Sequence, residues 1–253
     1  MAAFKVVIPA RLGSTRLPRK VLRPLAGKPM LQWVWEAARA SGAEQVVLAA
    51  DAEEVIQACR GFGAEARLTA VSHQSGTDRA EEIARQCGWS DETVVVNLQG
   101  DEPLMPPALV HQAAELLADP AADIATLCHP LDARADWLNP NFVKVVMDAQ
   151  GYALYFSRAP IPWKREGTSP ESPLPAGLAF RHLGLYAYRV GALRRFSGLP
   201  PADLETCESL EQLRALANGL RIKVGITQAQ PPRGVDTEDD LAAVAALLAG
   251  GGR

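Results

Sequence analysis

Four cations crowd into ten residues near the amino terminus: Arg11, Arg16, Arg19 and Lys20, in the stretch FKVVIPARLGSTRLPRK from Phe4 to Lys20. Like charges on one short turn repel, so the arrangement makes most sense when a polyanion sits among them. A nucleoside triphosphate is the natural occupant, although a solvated basic loop is the alternative reading of such a cluster. Ser14 and Thr15 add short hydroxyls, and Gly13 lets backbone N–H groups come close to a phosphate. Two familiar phosphate motifs are absent. The Gly27-Lys28 pair is followed by Pro29 and comes too late after the first strand for a P-loop, and Gly13 stands alone, without the G-x-G-x-x-G of dinucleotide folds. Phosphate is therefore expected to be held by side chains and a few amides.

Carboxylates form the second group. Gln99-Gly100-Asp101-Glu102-Pro103 follows a strand predicted over Val94 to Leu98, so Asp101 should project from the same sheet edge as the basic loop. A Mg²⁺ ion needs oxygen ligands there, usually one or two protein carboxylates plus phosphate oxygens. Asp236, in the turn after Gly234-Val235, is the second candidate. An Asp before a helix is often only a cap. Thr237 could fill that role instead, which leaves both readings of Asp236 open. Ser75, Gly76 and Arg79 lie in a polar turn before a helix, where Arg79 reads either as a ligand contact or as a solvated first-turn side chain.

The elements that must carry these residues alternate. Strand-length apolar runs at Val6 to Ala10, Gln45 to Ala50 and Val94 to Leu98 are separated by helical patterns at Pro29 to Ala40 and Glu53 to Arg60, which predicts a parallel sheet with covering helices. Leu31, Val34, Trp35 and Ala38 share one helix face, so Trp35 is expected in the core. After Asp123 the pattern changes. Val143 to Met147 and Tyr152 to Ser157 flank Asp148-Ala149-Gln150-Gly151, a hairpin signal that predicts an antiparallel insertion. The segment 164–178, rich in proline and glycine, reads as a surface loop and a possible lid. A strand at Arg181 to Tyr188, helices around Leu204 to Asn218, a strand at Arg221 to Ile226 and a helix from Thr237 to Leu248 complete the chain. His182 and Tyr186 are four apart on one strand, so they share a face.

Composition excludes more than it selects. A chain of 253 residues with net charge −3 is large enough for one good core and is a poor partner for nucleic acid, so the cation cluster should serve a small ligand. Cys59, Cys87, Cys128 and Cys207 are far apart, which predicts reduced and mostly buried thiols. No run of about 18 apolar residues and no leader-like start is present, and the expectation is a soluble, cytoplasmic protein with no membrane partner.

R-L-G-S-T-R-L-P-R-K at 11–20 with G-K-P-M at 27–30 resembles the signature of the 3-deoxy-D-manno-octulosonate (KDO) cytidylyltransferases, the CMP-KDO synthetase family. Further blocks agree in order over nearly the whole chain: H-Q-S-G-T-D-R at 73–79, V-N-L-Q-G-D-E-P at 96–103, N-P-N-x-V-K at 139–144, Y-F-S-R at 155–158, R-H-L-G-L-Y-A-Y-R at 181–189, E-Q-L-R at 211–214 and G-V-D-T-x-x-D-L at 234–241. The resemblance implies a Rossmann-like α/β nucleotidyltransferase fold, with a mostly parallel mixed sheet in one domain and a sugar-binding and dimerisation insertion at about 130–190. It implies transfer of CMP from CTP to the anomeric 2-hydroxyl of KDO, with loss of pyrophosphate, for lipopolysaccharide biosynthesis, by a homodimer using Mg²⁺. Carried over by position, Arg11, Ser14, Arg16, Lys20, Ser75, Gly76 and Arg79 bind the nucleotide, and Lys20, Arg11, Asp101 and Asp236 are catalytic, with the two aspartates on the metal. Position 19 varies in the motif, so Arg19 receives no role. Gln99, Arg158, Arg165, His182, Tyr186, Glu211 and Gln212 become the sugar-acid set; around Arg165 the sequence departs from the family pattern. No side chain stands out as general base. Enzymes for another acidic sugar, such as 8-amino-KDO or a sialic acid, and a non-catalytic nucleotide-sugar sensor are the competing readings.

Overall fold

The computed structural model describes residues 3–14, 16–165, 174–175, 177–229 and 234–250. Its first half has β1 (Phe4–Ala10), a short β2–β3 pair (Pro24–Leu25 and Lys28–Pro29), α1 (Met30–Ala40), β4 (Gln45–Ala50), α2 (Glu53–Gly61), β5 (Glu65–Leu68), α3 (Gly76–Gln86), β6 (Val94–Asn97) and α4 (Pro107–Glu115). The second half adds β7 (Ile124–Pro130), α5 (Arg134–Leu138), β8 (Lys144–Met147), β9 (Ala153–Ser157), β10 (Phe180–Arg189), α6 (Val190–Ser197), α7 (Asp203–Glu208), α8 (Gln212–Ala217), β11 (Ile222–Ile226) and α9 (Glu238–Gly250).

The main sheet runs β11-β7-β10-β6-β1-β4-β5, with β8 branching from β10 and carrying β9. β1 pairs in parallel with β4 and β6, which makes it the point where strand order reverses. In such sheets the crevice beyond the strand carboxyl ends at that reversal is where ligands sit. Alternation along the strands splits the core in two. Val6, Ile8, Leu48 and Val96 face one layer with α1, α2 and α4, whereas Val7, Val47, Ala49 and Val95 face the other with α3, α6 and α8. Both faces are covered, which is why these strands read as continuous apolar runs.

The hairpin forms as expected, with Lys144 opposite Ser157 in an antiparallel pair. The expected boundary of the antiparallel region needs correction. β10 is not part of a separate insertion; it lies in the middle of the sheet, antiparallel to both β6 and β7. Its amino-terminal half runs past the end of β6, where Tyr186 stands opposite Asn97. Trp35 is half-buried rather than fully buried, packed against Phe62 with Arg39 over its ring. All four cysteines are free; Cys59 and Cys128 are buried, Cys87 is half-buried, and Cys207 is exposed, against expectation. Residues 166–173 and 176 of the expected lid lie outside the described residues.

A third, smaller core explains how the chain ends meet. Leu17 of the basic loop, Leu25 and Met30 pack with Val235, Leu241 and Val244, and Arg23 pairs with Glu238 of α9 at 2.7 Å. The carboxyl-terminal segment is thereby seated on the basic loop. Val235 N–H donates to the Asp101 carbonyl at 2.8 Å, which brings Asp236 beside the turn after β6.

Candidate active site

A cleft of about 420 Å³ opens at the carboxyl ends of β1 and β6. It is lined by Arg11, Gly13, Ser14, Arg16 and Lys20 of the basic loop, by His73 to Gly76 and Arg79, and by Gln99, Gly100, Asp101 and Asp236. Every nucleotide and metal candidate read from the sequence is there. Arg19 is not: it adopts a left-handed conformation with φ 56° and turns its guanidinium to Glu54 of α2. Gly100 is required by packing, since a Cβ there would lie 2.5 Å from the Pro9 carbonyl. Such an approach lets the turn after β6 lie flat against the end of β1.

Ser75 caps α3, accepting from Asp78 N–H at 3.1 Å while its own N–H donates to Asp78 Oδ2 at 3.2 Å. The helix therefore begins in the cleft, with the partial positive charge of its first turn directed there. Arg79 is buried rather than solvated, and donates to Thr69 Oγ1 at 2.7 Å and to the Ala70 carbonyl at 3.1 Å. It shapes the 69–75 rim. His73, which sequence reasoning left without a role, completes that rim, paired with Glu82 at 2.6 Å.

Lys20 lies between the two aspartates, 2.6 Å from Asp101 Oδ2 and 2.9 Å from Asp236 Oδ1. Its ammonium is favoured against the cost of burial by those carboxylates, Asp101 first, and its pKa is raised. Arg16 reaches Asp236 Oδ2 at 3.2 Å. Thr237 is the cap: its hydroxyl accepts from Asp240 N–H at 3.2 Å and its N–H donates to Asp240 Oδ2 at 2.9 Å. Asp236 is thereby left to face the cleft. Among the described residues no cluster of three or more His, Cys, Asp or Glu is arranged to hold a metal without further ligands. Glu102, passed over in the sequence, is half-buried beside Asp101, and desolvation pushes its carboxyl up to about 8, with Asp101 adding to the shift.

The sugar-acid candidates divide. Gln99 lines the cleft beside Gly76, where a Cβ would be 3.3 Å from its amide. His182 and Tyr186 do share a face, with ring centroids 5.3 Å apart. Thr126 Oγ1 lies 2.9 Å from His182 Nε2 and also within bonding distance of the Leu183 and Leu185 carbonyls, at 3.1 and 2.8 Å. Carbonyls only accept, so the hydroxyl proton goes to one of them and Nε2 of His182 carries its own proton. Burial holds His182 down at about 3, so it is a neutral imidazole rather than a cation for a carboxylate. The Tyr186 hydroxyl is buried without a partner among the described residues. Glu211 accepts from Thr77 at 2.9 Å, its pKa raised by burial, and Gln212 is buried next to it.

Arg158 does not reach the cleft. Its guanidinium is spent on main-chain carbonyls of Glu208, Pro140 and Ser209, at 2.7, 3.1 and 3.4 Å. Arg165 is exposed at the edge of the described residues; like His182, Tyr186, Glu211 and Gln212 it is not among those lining the cleft, where Gln99 alone represents the sugar-acid set. Lys144, a residue that sequence reasoning did not single out, is fully buried, with its ammonium in a cage of the Asn139, Phe142 and Arg158 carbonyls. It fastens the 139–142 loop to the end of β9.

Residues 5–222 match the cytidylyltransferase family. The 3-deoxy-manno-octulosonate cytidylyltransferase of Pseudomonas fluorescens is 53% identical over 250 residues, covering 98% of each chain. That of Pseudomonas syringae pv. tomato is 54% identical with the same coverage. A solved structure of CMP:2-keto-3-deoxy-manno-octonic acid synthetase complexed with CTP superposes with a TM-score of 0.89 at 41% identity, over 98% of this chain and 99% of that one. The chain belongs to the 3-deoxy-manno-octulosonate cytidylyltransferase family.

Proposed function

We propose that this chain transfers CMP from CTP to the anomeric hydroxyl of KDO, releasing pyrophosphate and activating the sugar for lipopolysaccharide biosynthesis. The observation that carries the reading is the cleft itself: a row of cations from one loop faces two carboxylates brought from sequence positions 101 and 236, in a chain whose relatives of that name match it end to end.

Arg11, Arg16 and Lys20 bind the triphosphate, and they take up the negative charge that grows on the leaving pyrophosphate. Fixed charges of this kind act where charge develops, in a site that needs no reorganisation at the moment of reaction. Ser14 and the first turn of α3 at Ser75 and Gly76 supply neutral donors. The donor set fits a Mg²⁺ ion, since Asp101 and Asp236 each place an oxygen within 3 Å of one point, now the Lys20 ammonium. Asp101 and Asp236 would hold the ion; bound there, it supplies charge neutralisation at the phosphates and acidifies the attacking hydroxyl. The sugar acid is oriented by Gln99, the Tyr186 hydroxyl, neutral His182, Glu211 and Gln212. An orphaned buried hydroxyl costs free energy until a ligand satisfies it, which supports a polar ligand at Tyr186.

The reading includes a homodimer in the cytoplasm. β9 is an edge strand with Leu154 62% exposed, and Leu138 and Trp163 nearby in sequence are also exposed. An apolar edge of that kind is covered by pairing with a second copy. Light scattering at micromolar concentration is expected to give twice the chain mass, and Leu154→Glu to lower it; a wild-type monomer overturns the assembly. None of the helices among the described residues is long and apolar enough to cross a membrane.

The function is tested by pyrophosphate release from CTP with a panel of 2-keto sugar acids. KDO is expected to be the best acceptor, with CMP-KDO as the product by mass. Faster turnover of 8-amino-KDO or a sialic acid replaces the substrate, and no turnover with any of them leaves a binding protein.

A further inference from the structure

Lys20 stands where two carboxylates converge. Its ammonium contacts Asp101 at 2.6 Å and Asp236 at 2.9 Å, while its side chain is only 12% exposed. Arg16 takes the second oxygen of Asp236 at 3.2 Å but is itself largely exposed, so Lys20 is the cation that water screens least. The contacts come from three separate parts of the chain, and they are held in place by the Val235–Asp101 backbone bond and by the small core around Leu17 and Val235. The geometry therefore describes a balanced site, in which one internal positive charge offsets two negative ones that would otherwise repel.

Two ligands compete for the parts of this site. A divalent cation needs the carboxylate oxygens that Lys20 now occupies, and a triphosphate needs the ammonium that the carboxylates now hold. Either ligand alone leaves one side of the triad uncompensated: the metal strands the Lys20 ammonium, and the triphosphate strands the two carboxylates. Both together satisfy every group: the carboxylates take the metal, and the ammonium takes phosphate oxygens.

We propose that Lys20 is the built-in counter-cation of the Asp101–Asp236 pair, and that it yields this place only when a triphosphate accepts its charge, so that metal and nucleotide enter the cleft as a coupled pair. The inference rests on the nucleotidyltransfer reading for the identity of the second ligand, and it concerns binding in the absence of turnover. By linkage, the factor by which CTP tightens metal binding equals the factor by which the metal tightens CTP binding.

The test uses Mn²⁺ alone with the nucleotide-free full chain, with bound and free ion separated by electron paramagnetic resonance. Wild type is expected to bind Mn²⁺ weakly, whereas Lys20→Met binds it roughly tenfold more tightly, because loss of the competing charge removes a barrier of the size of one close ion pair. Asp236→Asn placed on Lys20→Met should abolish the gain. Lys20→Arg, which keeps the charge, should remain weak. CTP should tighten Mn²⁺ binding in wild type by a larger factor than in Lys20→Met. Unchanged or weaker Mn²⁺ binding by Lys20→Met that retains the wild-type circular dichroism overturns the proposal, as does equal coupling to CTP in both chains. Product formation by wild type from CTP and KDO on the same preparation reports separately on the nucleotidyltransfer reading, because the Mn²⁺ titration requires neither substrate.

Discussion

The Thr77 hydroxyl donates to Glu211 Oε2 at 2.9 Å, across 134 positions of sequence. It joins the start of α3, which forms one wall of the cleft, to the segment that carries Gln212, and so ties the residues proposed for the nucleotide to those proposed for the sugar. Glu211 is in turn steadied by Arg214 at 3.4 Å, itself paired with Glu205 at 2.7 Å. Thr77→Val and Glu211→Gln are each expected to raise the KM for KDO by roughly tenfold, the loss of one buried hydrogen bond with a charged partner. In a double-mutant cycle the two should couple by about 1 kcal/mol. Strictly additive effects on the sugar KM would show that the pair does not hold the sugar side in place.

Lys20→Ala should lower turnover by roughly 10²-fold, the usual size for removing one preorganised charge from a phosphoryl-transfer site. The KM for KDO should change less, since no contact of Lys20 lies toward Tyr186 or Glu211. Steady-state kinetics separate the two quantities. Turnover within threefold of wild type removes Lys20 from the chemistry.

Asp101→Asn and Asp236→Asn should each raise the Mg²⁺ concentration needed for half-maximal rate, because an amide keeps the shape and loses the charge of a hard-cation ligand. A chelator should abolish activity, and restored Mg²⁺ should return it. An unchanged Mg²⁺ titration in either variant means that aspartate is not a ligand, and full activity in excess chelator excludes the metal altogether.

Much of this architecture is written locally. β1, β4 and β6 are nearly continuous apolar runs because helices cover both of their faces, and their short length and β-branched content identify them. The place of β10 is not written locally, since an alternating strand reads the same at the centre of a sheet as in an inserted hairpin, and only its pairing with both β6 and β7 distinguishes them. The helices expected around Leu204 to Asn218 part at Ser209, with φ 51°, a left-handed cap without the glycine that usually signals one, so the break itself is not legible in the sequence. The site divides the same way. The cation cluster and the strand-end aspartate are visible as types and spacing. Arg158 looks like a ligand for a carboxylate until its partners are known, and these are main-chain carbonyls from two distant segments. His182 could be either charged or neutral in sequence; its neutrality follows from burial, with the nearby Arg181 charge pushing the same way.

Glu102 gives a prediction about pH. Its side chain lies under the carboxyl-terminal segment, where a Cβ on Gly234 would be 2.8 Å from Glu102 Oε1. Burial is the main reason its carboxyl titrates at about 8 instead of 4.5; Asp101 and Asp236 push the same way, and Arg181 and Lys20 oppose them. In the unfolded chain the group loses its proton near the ordinary value, while the folded chain keeps it up to about 8. The unfolded state therefore binds fewer protons between those two values, and stability falls as pH rises through that window. The contribution is fully present below pH 4.5 and is exhausted above about 8. Glu102→Gln keeps the shape without titrating, so in chelator it should match wild type near pH 4.5 and become progressively more stable than wild type toward pH 8, by an amount on the order of 2 kcal/mol or more. Denaturant midpoints measured across that range read the difference directly. A gap between variant and wild type that does not change with pH would mean that the Glu102 carboxyl is already ionised in the folded chain, and that the turn after β6 is open to water rather than sealed by the segment around Gly234.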